Sequence, residues 1–184
     1  MRLQSLFYER HPWLQQFGLE CRKPPQEGLT QLRPSGFQLQ PLICLHYLLD
    51  GDLHVQAARL DIAGPLWAHP WKFFLARQVC ARFLHETLGA ENLKAHPQLM
   101  QQLTPSDVGL AREFRVPPVP WMQQGRLALG KEKLWVVDGR VAVAPAKAQE
   151  CADCGFPLAP KGKHCALCGK AAAGGNLWSR LGLG

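Results

Sequence analysis

The feature that most constrains this chain is a pair of cysteine motifs, Cys151-Ala152-Asp153-Cys154-Gly155 and Cys165-Ala166-Leu167-Cys168-Gly169, with ten residues between Cys154 and Cys165. Each motif needs a tight turn in which backbone N–H groups point at sulfur, and the glycine after the second cysteine accommodates the unusual backbone angle. Four thiolates at this spacing can surround one tetrahedral ion, and zinc suits four soft sulfur donors. About twenty residues cannot bury a sufficient core of their own. The metal must supply what packing cannot, on the order of 10 kcal/mol or more for structural zinc. With Cys151, Cys154, Cys165 and Cys168 as ligands, no coordination position stays open for water. The spacing therefore predicts one structural Zn2+ and argues against catalytic zinc.

The segment from Cys151 to Gly169 resembles the short zinc ribbon attached to many nucleic-acid-binding proteins and components of protein complexes. That resemblance identifies a module covering about a tenth of the chain and implies no particular activity. Rubredoxins hold iron with similar knuckles set farther apart, so the ten-residue separation argues against electron transfer. His164 abuts Cys165 and reads as an exposed or supporting histidine rather than a ligand.

Cys21, Cys44 and Cys80 are widely separated, and seven cysteines is an odd number. This pattern fits a reducing compartment, with four metal ligands and three small buried hydrophobes. A content of 47% hydrophobic and 19% charged residues excludes intrinsic disorder, and the scattered Gly and Pro exclude collagen and coiled coil. The length suits one ordinary domain with a small appendage: a body over residues 1–145, then a ribbon and tail over 146–184. The N-terminus meets Glu9 and Arg10 before any apolar region of a secretory signal. The longest apolar run, Pro41 to Leu49, contains His46 and falls short of the ~20 residues of a membrane span. A cytoplasmic protein without membrane contact is expected.

Within the body, the first forty residues read as short helical pieces broken by His11-Pro12, Pro24-Pro25 and Arg33-Pro34-Ser35-Gly36. Pro41 to Leu49 reads as one or two buried helical turns ending at Asp50-Gly51-Asp52, with a strand as the alternative. The strongest helix runs from Pro70 to about Leu88 and is closed by Gly89. Phe73, Ala76, Cys80, Phe83, Leu84 and Leu88 share its apolar face, opposite Gln78, Arg82, His85 and Glu86. Arg77 falls on the apolar side and must snorkel, pair or reach a phosphate. Helical segments at 90–102 and 105–114 lead into the stiff Val116-Pro117-Pro118-Val119-Pro120 linker. Strands on either side of Asp138-Gly139 then form a hairpin over 133–144, and Leu127 to Leu129 add a third strand through Gly130. The expected class is α+β, with a mainly helical N-terminal body, a β-hairpin near 133–144 and a small C-terminal zinc ribbon.

A net charge of +7 favours an anionic partner. In the ribbon and tail, Lys147, Lys161, Lys163, Lys170 and Arg180 outnumber Glu150 and Asp153. Lys161 and Lys163 occupy a loop from which ammonium groups reach phosphates without burial, and Lys170, Arg180 and Arg77 are further candidate nucleic-acid contacts. Trp178, after Gly174-Gly175, can stack on a base or dock on a partner. Arg112, Arg115, Arg126, Lys131, Lys133 and Arg140 are diluted by acids and read as a mixed solvated face. No phosphate-cradling glycine loop, His-Glu-x-x-His or Gly-x-Ser-x-Gly motif is present, and Asp50-Gly51-Asp52-Leu53-His54 reads as turn chemistry. No catalytic residue is assigned.

A small basic protein with a four-cysteine module and a mixed helical body is similar in outline to the compact large subunit of type IV CRISPR effector complexes. That likeness implies contact with guide RNA and target DNA. The expected function is thus non-enzymatic binding of DNA or RNA through a zinc ribbon, as a subunit of a larger nucleoprotein complex with other protein subunits. The alternative is a protein–protein adaptor that grips its partner with the ribbon and the Trp178 tail, zinc being structural only.

Overall fold

A computed structural model describes residues 1–36, 42–63, 70–95, 125–137, 140–154, 156–159 and 162–171. The strands are β1 (Leu19–Cys21), β2 (Gly28–Pro34), β3 (Ile43–Leu49), β4 (Val55–Ile62), β5 (Gly125–Leu129), β6 (Glu132–Val137) and β7 (Arg140–Pro145). They form one seven-stranded sheet in the order β1-β2-β3-β4-β7-β6-β5, with every neighbouring pair antiparallel. A short helix, α1 (Pro12–Gln16), precedes β1, and a long one, α2 (Pro70–Lys94), separates β4 from β5. The chain thus lays down β1 to β4 as a meander, crosses by α2, and returns from the far edge until β7 pairs with β4.

This arrangement overturns the expectation of a mainly helical N-terminal body. The segment before residue 36 contributes two strands and only a five-residue helix, and Ile43–Leu49 is a strand. The physical reason lies in burial. Ile43, Leu45, Tyr47 and Leu49 face α2, while Leu48 on the opposite face is buried beneath the cysteine module. A strand covered on both faces loses the apolar–polar alternation that marks a half-buried strand, so its sequence resembles a buried helical turn. The hairpin expected near 133–144 forms as β6 and β7, and the third strand forms as β5, in register from Leu129↔Glu132 to Gly125↔Val136. The helical segments expected over 96–114 lie outside the described residues.

On one face of the sheet, Ala76, Val79, Cys80, Phe83, Leu84 and Leu88 of α2 pack against Leu45, Tyr47, Ala58, Leu60, Val141 and Val143. Phe7 meets Tyr47 edge-on at 5.5 Å between ring centroids, closing the core near α1. The helical path breaks where expected: Gly89 has φ 80° and ψ 159°, after which a further turn runs to Lys94. Only glycine enters that backbone region freely, and a Cβ there would lie 2.9 Å from Arg2 Nε. Gly89→Ala is therefore expected to destabilise the fold by about 1–3 kcal/mol. Urea denaturation of the variant beside the parent measures this directly.

Candidate metal centre and the adjoining sheet face

The two cysteine motifs fold as a pair of like turns. Cys151 N–H donates to Phe156 O at 2.9 Å, and Cys165 N–H donates to Lys170 O at 2.8 Å, the same five-residue closure in each. Isolated bridges Glu150↔Pro157 and His164↔Ala171 flank them. Gly169 takes φ +74° and donates to Cys165 O at 2.9 Å, which is why glycine follows the second cysteine. Asp153 of the first turn accepts from Lys170 Nζ, beside the second turn, at 2.7 Å.

All four sulfurs lie within 4.8 Å of one another. Cys151 Sγ is 3.6 Å from Cys168 Sγ, and Cys154 Sγ is 3.5 Å from Cys165 Sγ. These separations are far beyond the ~2.05 Å of a disulfide. They match the edges, about 3.8 Å, of a sulfur tetrahedron with bonds of about 2.3 Å to a central zinc. The donor set fits one soft, tetrahedral cation, and among the described residues no other group of three or more Cys, His, Asp or Glu converges in this way. Burial pushes the Cys151 thiol up, but backbone N–H groups of Cys154 and Asp153 outweigh it and bring the thiol down to about 7. Burial pushes Cys154 up to about 12 and raises Cys165 as well. Binding a cation must therefore displace protons, so affinity falls as pH falls.

The module is packed, not tethered. Phe156, Leu158, Cys151 and Cys165 are buried against Leu48, Ala57, Ala142 and Ala144, on the sheet face opposite α2. The small alanines let the module approach the strands closely. Its root is clamped as well: Lys133 of β6 donates to Ala148 O and pairs with Glu150 at 2.9 Å, and Ala146 N–H donates to Lys131 O at 2.8 Å. Sequence reading placed Lys133 in a solvated face and missed this clamp, which only the β6–β7 register brings into view.

Of the residues expected at a nucleic-acid interface, Lys163 and Lys170 lie on the module and Arg77 lies on α2, on the opposite face of the sheet. Lys163 is exposed, and Lys170 is exposed but engaged with Asp153. Arg77 is buried on α2, with 7% of its surface exposed. Lys161, Trp178 and Arg180 lie outside the described residues. His164 is exposed beside the module. Asp50 serves the β3–β4 turn: its carboxylate accepts from Gln56 Nε2 at 2.7 Å and from the backbone N–H groups of His54 and Asp52, and those backbone bonds hold its pKa below the ordinary value.

Next to the module, the same sheet face carries a polar cluster that sequence reading did not single out. Cross-strand partners His46 and Arg59 are both buried, at 4% and 5% exposure. Arg59 Nε and Nη2 donate to Asp61 Oδ1 and Oδ2 at 2.5 and 2.9 Å, and His46 Nε2 lies 3.3 Å from Asp61 Oδ2. Burial raises the Asp61 carboxyl, but the His46 and Arg59 bonds prevail and hold it below its ordinary value. Among the described residues, Arg59 Nη1 and His46 Nδ1 are buried without a partner. An orphaned group of this kind costs roughly 1–3 kcal/mol. The signal was present in Arg59-Leu60-Asp61, a polar residue at every second position of a strand.

Because the module covers the sheet, losing the metal should be felt beyond the ribbon. Chelation at neutral pH, or Cys151→Ser, is expected to lower the thermal midpoint of the whole chain and to expose Leu48, Ala57, Ala142 and Ala144. Circular-dichroism melts with and without zinc check this, since an independent appendage would leave the sheet's melting unchanged. No protein-family model, curated protein or solved structure matches this chain. The zinc-ribbon reading therefore stands on the four-sulfur geometry, and the outline likeness to a CRISPR subunit gains nothing from these comparisons.

Proposed function

We propose that this protein binds nucleic acid without catalysing a reaction, as a subunit of a larger nucleoprotein assembly, with a structural zinc fastening a ribbon to its sheet. The supporting observation is the orientation of the ribbon. Its apolar residues Phe156 and Leu158 are buried on the protein's own strands, and the residues it exposes include Lys163, His164 and Lys170. The excess of basic residues, +7 overall, supplies the long-range attraction for phosphate. The absence of a catalytic motif in the sequence and the use of Asp50 in a turn support a binding role rather than an enzymatic one.

Phosphate contacts release counterions, so affinity must depend steeply on salt. The zinc-loaded protein is expected to bind labelled single- or double-stranded DNA or RNA more weakly as salt rises. The Lys161→Glu/Lys163→Glu variant should lower the slope of log Kd against log salt by roughly 2, one for each lost phosphate contact. Fluorescence anisotropy across a salt series measures both. Binding indifferent to salt, or absent from a folded, zinc-loaded protein, would return the adaptor reading to first place.

A further inference from the structure

The cysteine module covers only one end of the sheet's outer face. Beyond it, the register sets Gln31, His46, Arg59 and Ala142 in one cross-strand row and Cys44, Asp61 and Arg140 in the next. Arg33 of β2 adjoins this second row, its charge acting on Cys44 together with those of Asp61 and Arg59. Among the described residues, three arginines and a histidine thus share the part of the face beyond the module with one central acid, His46 and Arg59 being buried there and Arg140 exposed. Glu20, the cross-strand partner of Arg33, stands at its margin on β1.

We infer that this part of the sheet is a phosphate-binding site, with Arg59 as its anchor and Arg33 and Arg140 as flanking cations. It deepens the nucleic-acid reading by naming the group recognised, and rests on that reading only for the molecule that carries the phosphate. Arg59 is buried on this face. Asp61 occupies the Nε–Nη2 edge of its guanidinium, leaving the Nη1 end to find another acceptor. Asp61 cannot turn to serve it, because Oδ2 is also held by His46. Apart from Asp61, the neighbouring positions on this face among the described residues are Ala57, Ala142, Leu48, Cys44, Arg140 and His46, none of which offers a carboxylate. A buried guanidinium aligned by a carboxylate on one edge and unpartnered at its other end is suited to a tetrahedral oxyanion. Arg140 is exposed and Arg33 half-buried, so the site has a charged rim open to a ligand. Strand spacing of about 4.8 Å places such cations within reach of one phosphate or of successive ones along a backbone.

The test uses the zinc-loaded full chain, with inorganic phosphate followed by phosphorus NMR and a fluorescein-labelled single-stranded oligonucleotide followed by anisotropy. Arg33→Ala/Arg140→Ala, which alters only the rim, is expected to weaken both ligands about tenfold or more. Its zinc content and melting midpoint should stay at the parent's values. Arg59→Lys, which keeps the charge but loses the fork, should weaken phosphate likewise. Phosphate binding that responds to these variants without any oligonucleotide binding supports the site and sinks the nucleic-acid reading. Oligonucleotide binding lost through Lys161→Glu/Lys163→Glu but untouched by the arginine variants overturns the site and leaves that reading standing. A folded parent that binds neither ligand overturns both.

Discussion

Four sulfurs gathered within 4.8 Å of one another repel when ionised and form only weak hydrogen bonds when protonated, so a cation at their centre would stabilise the arrangement. Such a cross-link would join two short turns with little core of their own. It would also hold Phe156 and Leu158 down on the strands, where Cys151 and Cys165 are themselves part of the buried layer. The metal site and the sheet's outer packing are therefore continuous. The module covers Leu48 and Ala57 on one face of β3 and β4, and α2 covers Leu45, Tyr47, Ala58 and Leu60 on the other.

The same covering decides where charge can act. The module occupies the apolar end of the outer face and leaves the polar end, where Asp61 holds Arg59 by two hydrogen bonds beside His46. A buried ion pair gains little net stability over well-packed apolar residues, since desolvation offsets much of the attraction. Its value lies in fixing direction, and here it fixes a guanidinium with one end unpartnered. The lysine clamp from β6 to Ala148 and Glu150 belongs to the same economy of placement, because it sets the height and angle at which the module meets the strands.

The elements that were legible from sequence are those whose signals are local. The cysteine knuckles, the hairpin around residues 138–139 and the stop at Gly89 each depend on a few adjacent residues, and each emerges in the structure. What local pattern could not convey was burial on both faces. Ile43 to Leu49 showed no alternation because Leu48 faces the module while Leu45 and Tyr47 face α2, two coverings contributed by distant segments. For the same reason the Arg59–Asp61–His46 cluster went unread. His46 and Arg59 are thirteen positions apart and meet only through the β3–β4 register. Arg77 showed the converse, since its place on the apolar side of α2 was readable and it is buried there.

The central claim is that one zinc ion, bound by Cys151, Cys154, Cys165 and Cys168, fastens the module to the sheet. X-ray absorption at the zinc edge, on protein purified without added metal, tests it most directly. The account predicts one zinc per chain in a shell of four sulfurs at about 2.3 Å, with no nitrogen or oxygen ligand. A shell with fewer than four sulfurs, or a chain that folds and melts normally while holding no metal, would contradict it.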